Sequence, residues 1–177
     1  MKLQRILVPV DFSECSQAAL RLATDLAQTM HADVCAFHVL WSPPLYAGLD
    51  ILLLQIPREG DSRASLRDYL QSRAEQALTD LIEPLGEHWR FRIEKRLAFG
   101  NPAREILEVA RAESFDLIVM GSHGHGALAE RLMGGVCNKV LHDAPCPVLT
   151  VRAPAGRPGP DAGGSAQAGP VSSPRAT

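Results

Sequence analysis

The sequence predicts an α/β protein: an open, doubly wound, parallel sheet of five strands with helices on both faces. Three observations carry that expectation. Apolar runs such as Leu3–Val10 and Val34–Leu40 read as strands buried on both sides. They alternate with stretches whose apolar residues recur every three or four positions, as in amphipathic helices. A glycine-spaced loop then joins another strand, Leu117–Met120, to a helix start. The resulting order, β-α-β-α-β-α-β-α-β, requires right-handed crossovers.

The elements follow in order. Leu3–Val10 is the first strand, ending in Pro9-Val10-Asp11-Phe12-Ser13. Ser13 is placed to cap the next helix, and Glu14 puts a negative charge in its first turn. Ala19, Leu22, Ala23, Leu26, Ala27 and Met30 mark that helix's apolar face. Val34–Leu40 is the second strand. Trp41–Gly60 holds Pro43-Pro44, Gly48 and Pro57 and reads as a long connection of functional interest. Ser62–Gly86 returns to helical spacing. Trp89–Leu97 alternates apolar and charged residues, which predicts a strand near a sheet edge; Arg92, Lys95 and Arg96 would form its solvated side. Asn101-Pro102 is a cap followed by a proline in the first helical position, so Ala103–Ala112 is a helix. Gly134–His142 is the last helix, stopped by Pro145 and Pro147. Pro147–Arg152 is the final strand.

At 177 residues, the chain is expected to hold one domain, residues 1–152. Residues 153–177 are rich in Ala, Gly, Pro and Ser and are expected to be a disordered tail. A net charge of −2 and 5% aromatic content argue against nucleic acid as a partner. No apolar run approaches the roughly 20 residues that a membrane helix needs, and no secretory leader is visible. The expectation is a cytoplasmic protein. Cys15, Cys35, Cys137 and Cys146 match no zinc spacing and read as reduced, apolar residues.

In a doubly wound sheet, ligands bind at the carboxyl ends of strands where the strand order reverses. That rule gathers Val10, Asp11, Val39, Leu40, Met120 and Gly121 around one crevice. Gly121-x-x-Gly124, nine residues, then Gly134 is the strongest motif. Glycines let a backbone approach an anion, and a helix start offers free N–H groups. The alternative is a glycine-rich crossover that binds nothing. No Lys-Ser or Lys-Thr follows, so this is not a Walker loop, and the dinucleotide fingerprint does not fit. His123 and His125 suggest loop residues rather than a metal site, and His38 reads as a core histidine. Arg131 is as much a surface residue as a phosphate contact.

Three stretches together resemble the universal stress protein family: Ile6-Leu7-Val8-Pro9-Val10-Asp11-Phe12-Ser13; Asp116 through Gly124; and His142 through Arg152. The resemblance covers Lys2 to Arg152. It implies a Rossmann-like sheet of order 3-2-1-4-5, similar to that of the adenine nucleotide alpha hydrolases, and homodimers paired through the last strand. One branch of the family binds ATP, with or without Mg. By resemblance, Gly121, Gly124 and Gly134 would cradle phosphates and Asp11 would hold the ribose. The backbone near Val39 would read the adenine edge, and Val10, Met120 and Val136 would line the pocket. Pro9, His123, Gly135 and Cys137 complete the expected set. The family's hydroxyl residue after the last glycine is here Gly135, and a second hydroxyl two positions on is Cys137.

The implied function is an ATP-binding, dimeric regulator of the stress response, read by an unknown protein partner, with at most very slow ATP hydrolysis. The alternative is a nucleotide-free dimeric interaction module, for which Gly135 is the best argument. A nucleotidyl transferase would carry a His-x-Gly-His or Ser-Gly-Gly loop after the first strand, and Pro9–Ser13 carries neither.

Overall fold

The computed structural model describes residues 3–41, 66–90, 92–123 and 134–152. The expected features within Trp41–Gly60, Gly124 itself, His125, Arg131 and the tail lie outside these residues, save for the backbone of Trp41.

Five parallel strands form the sheet: β1 (Arg5–Pro9), β2 (Asp33–Trp41), β3 (Ile93–Gly100), β4 (Leu117–Gly121) and β5 (Val148–Val151). Their order is β3-β2-β1-β4-β5, as the resemblance implied. Central strands bury alternate residues on opposite faces. Ile6 and Val8 of β1, Val34 and Ala36 of β2 and Val119 of β4 join the core beneath α1 (Glu14–Met30) and α2 (Leu66–Ile82). Leu7, Cys35, Phe37, Ile118 and Met120 join the opposite core. That core is closed by the helices Pro102–Ala112 and Gly135–Asp143. Continuous apolar strands buried on both sides are the reason the sheet must be parallel and covered twice.

The helix caps follow the local sequence. Ser13 Oγ accepts from the Ser16 amide at 3.3 Å, and α1 ends with His31 in the left-handed region, φ 56°. The Ala32 N–H then reaches back to the Ala27 carbonyl at 3.0 Å, closing the helix as glycine more often does.

The largest departures from expectation fall in two elements. The helix expected through Gly86 stops at Ile82 and tightens into a 3-10 turn, Glu83–Leu85. Pro84 sits in that turn and has no N–H to continue the α-helical ladder. Gly86, at φ 105°, then redirects the chain. Trp89 belongs to a single helical turn, α3 (Glu87–Arg90), not to a strand. Its ring is buried with Leu78 and Ile82, so the strand begins only at Ile93. β3 stays paired with β2 as far as Gly100 opposite Trp41, three residues beyond the expected end. It is an edge strand, as expected, but Arg96 is not merely solvated, because its guanidinium pairs with Glu113. Glu113 also takes Arg5 at 3.1 Å. The remaining helices are α4 (Pro102–Ala112) and α5 (Gly135–Asp143). The Asn101 side chain accepts from the Arg104 amide at 3.2 Å, with Pro102 opening α4. Among the described residues, no helix is long and apolar enough to cross a membrane.

Candidate functional site

The chain leaves β1 for β2 and β3 on one side, then returns to place β4 and β5 on the other. The carboxyl ends of β1 and β4 therefore diverge, and a cavity of about 460 Å³ opens there. That volume lies within the range of small-molecule sites, roughly 300–1,000 Å³.

β1 contributes Pro9, Val10 and Asp11 to its wall, and β2 contributes Val39. Met120, Gly121 and His123 come from β4 and its loop; Gly134, Gly135, Val136 and Cys137 come from the start of α5. Thus every expected site residue within the described segments lines one cavity. Leu40, expected nearby, does not line it. Sequence reasoning missed Ser16, Phe37, His38, Pro102, Ile106 and Ser122, which also line it. Pro102 was findable: α4 begins at the same end of the sheet at which β3 stops.

Asp11 Oδ1 accepts from the Ser13 amide at 3.1 Å and from its hydroxyl at 2.6 Å. Phe12 between them takes φ 66°, a left-handed turn that a non-glycine residue rarely adopts. The turn holds the carboxylate at the rim of β1. His38 is not a pure core residue. Its Nδ1 lies 2.7 Å from the Val10 carbonyl, which can only accept, so Nδ1 carries the proton. Its ring meets Phe12 at 4.6 Å between centroids.

The opposite wall is a helix start without a side-chain cap. The Gly134 N–H donates to the Ser122 carbonyl at 3.0 Å, so this amide is already used. The first helical bond of α5 runs from the Asn138 N–H to the Gly134 carbonyl at 2.9 Å. The amides of Gly135, Val136 and Cys137 precede it and have no helical acceptor. With the helix dipole behind them, they form an anion-attracting surface. Among the described lining residues there is no lysine or arginine. Among the described residues, the groups that could hold an anion here are these amides and the lining histidines. Cys137 is 3% exposed, and burial pushes its thiol above the usual range, so it acts as an apolar wall.

The two glycine positions differ in what they do. A Cβ on Gly121 would lie 2.8 Å from Cys15 Cβ and 3.0 Å from the backbone of Cys15 and Ser16. Gly121 thus lets β4 pack against the first turn of α1. Among the described residues, a Cβ on Gly135 would meet nothing within 4 Å.

A match to the universal stress protein family model spans residues 2–152. The chain belongs to this family. It is 34% identical over 151 residues to the universal stress protein MJ0531 of Methanocaldococcus jannaschii, covering 85% of this chain and 83% of that one. Among solved structures, MJ0577 of the same organism matches with a TM-score of 0.70 and 27% identity. The match spans 88% of this chain and 99% of that one. A universal stress protein from Archaeoglobus fulgidus, solved in complex with dAMP, matches with a TM-score of 0.54 and 21% identity. It covers 85% of this chain and 99% of that one, a likeness of fold alone. Among the described residues, no group of three or more His, Cys, Asp or Glu is arranged to hold a metal ion.

Proposed function

We propose that this universal stress protein binds an adenine nucleotide, ATP with or without Mg, and acts as a regulator whose occupancy a protein partner reads. The observation that carries the proposal is the cavity itself. It sets a carboxylate at the end of β1 against the uncapped, amide-rich start of α5. These are the two ends of a nucleotide in chemical terms: a carboxylate accepts from ribose hydroxyls but repels phosphate, whereas helix amides attract it. Between them, Val10, Val39 and Met120 provide buried apolar wall for a base. The fold itself accommodates an adenine nucleotide in the Archaeoglobus protein solved with dAMP, which makes adenine the base to test first.

The same reading places Gly121, Gly124 and Gly134 around the phosphates and the backbone of Val39 at the adenine edge. It places the protein in the cytoplasm, as a homodimer joined through residues 147–152. The β5 edge supports the last point: it is four residues long, pairs with β4 on one side, and exposes Leu149. Hydrolysis would be very slow, since Asp11 is the sole carboxylate among the described lining residues and its Oδ1 is held by Ser13.

A nucleotide-free interaction module is the second reading, favoured by the absent hydroxyls at Gly135 and Cys137. Two experiments separate them. Heat-denatured protein is assayed for released adenine nucleotide, and ATP is titrated by calorimetry into Gly135→Ser and the unaltered chain. A hydroxyl bonded to a charged oxygen contributes about 1.5–3 kcal/mol, so Gly135→Ser should tighten binding about tenfold or more. No released nucleotide, together with no heat at millimolar ATP for either protein, would favour the nucleotide-free module.

A further inference from the structure

One feature of the cavity remains unmatched: the His123 ring. Ser122 is 3% exposed, and its Oγ lies 2.8 Å from His123 Nδ1. His123 Nε2 is shut off from solvent and has no hydrogen-bond partner among the described residues. Both residues line the cavity, on the loop that faces the start of α5. Either neutral form of the ring leaves Nε2 mismatched. If the serine hydroxyl donates to Nδ1, the proton sits on Nε2 as a buried donor without an acceptor. If Nδ1 donates to the hydroxyl, Nε2 is a buried lone pair without a donor. A buried polar atom left in that state is costly unless something else completes it.

Resting on the nucleotide reading above, we infer that His123 Nε2 is a phosphate ligand whose protonation tightens nucleotide binding, with Ser122 as its positioning residue. In the imidazolium both nitrogens donate: Nδ1 to the Ser122 oxygen, Nε2 to a phosphate oxygen. This supplies the charge-assisted bond that Gly135 and Cys137 lack. It also adds a positive charge to a cavity whose described lining has no lysine or arginine. The other titratable groups on the described lining are Asp11 at the end of β1, His38 at the end of β2 and Cys137 on α5. The sign follows from the charge: phosphate favours the protonated ring, so binding takes up a proton and affinity rises as pH falls. Adenosine, which has no phosphate, should show no such rise.

The test is calorimetric titration of ATP and of adenosine at pH 6, 7 and 8 into the unaltered chain and His123→Gln. Glutamine keeps a donor but cannot titrate, and ATP's own titration is common to both proteins. The ratio of ATP to adenosine affinity should rise five- to tenfold more between pH 8 and pH 6 in the unaltered chain than in the variant. Equal pH slopes in the two proteins, with ATP still bound, would overturn the inference and leave the nucleotide reading standing. Failure of the unaltered chain to bind ATP at all would refute that reading instead. In that case, inorganic tripolyphosphate is added to protein labelled with 15N-histidine. Movement of the His123 ring nitrogens supports the phosphate contact, and unchanged shifts overturn it.

Discussion

The glycines at 121 and 135 sit on one cavity, yet the structure assigns them opposite sensitivities. Consider Gly121→Ala. Its new methyl would lie 2.8 Å from Cys15 Cβ and 3.0 Å from both the Cys15 carbonyl carbon and the Ser16 nitrogen. Carbon atoms normally stay about 3.5–4.0 Å apart. Two of the three obstacles are backbone atoms in the first turn of α1, so no rotamer change relieves the clash; the helix start must shift from β4. Overpacking of this kind costs about 1–3 kcal/mol. For a domain of this size, each kcal/mol lowers the melting temperature by about 2–4 °C. Gly135→Ser meets nothing within 4 Å among the described residues, and its effect on stability should stay within about 0.5 kcal/mol. Urea denaturation of both variants, without added nucleotide, reads the difference. A Gly121→Ala midpoint equal to that of the unaltered chain, at an unchanged slope, would refute the packing role.

Two further outcomes are expected. Glu113 accepts from Arg96 and from Arg5, and the Arg96 hydrogen bond foremost holds its carboxyl below the ordinary range. A depressed carboxylate stabilises the fold above its unfolded value, near 4.5, and the benefit disappears as pH falls through the lower folded value. The groups are about a third exposed, so Glu113→Gln should cost no more than about 1 kcal/mol at pH 7. The deficit should narrow as pH falls from 7 to 3 in urea denaturation, and a deficit equal at both pH values would count against the ion pair. Separately, Leu149→Glu places a charge on the exposed edge of β5. On the proposed pairing through residues 147–152, light scattering should report a dimer for the unaltered chain and a monomer for the variant, with unchanged far-UV circular dichroism; a variant that forms the same dimer argues against that pairing.

Much of this architecture was readable from residues alone because its signals are local. Ser13 and Asn101 announce their helices by capping chemistry, and the apolar runs at Ile6–Val8 and Ile118–Met120 can be satisfied only between two layers. The crevice was legible through a rule of topology, which needs strand order but no side-chain detail. What failed was decided at a distance. Trp89 alternates with Ile93 like a strand residue, but the core around Leu78 and Ile82 draws its ring down within a helical turn. Arg96 looked like a solvated charge because its partner, Glu113, lies beyond α4 in the sequence. His38 was read as core because only the folded chain brings the Val10 carbonyl, and hence the cavity rim, to its ring.

The backbone of Ser122 holds two later segments of the chain together. Its N–H is tied to the Val151 carbonyl at the end of β5, and its carbonyl to the Gly134 N–H at the start of α5. Residues 134–152 are therefore braced on Ser122 at both of their ends. A polypeptide leaves the ribosome amino end first. During synthesis, the β1 rim with Asp11 is available early, but the amide wall opposite it arrives only with α5. It gains its brace only when Val151 has emerged. A nascent chain arrested before that point carries half a cavity, so under the proposed nucleotide reading it should not retain ligand.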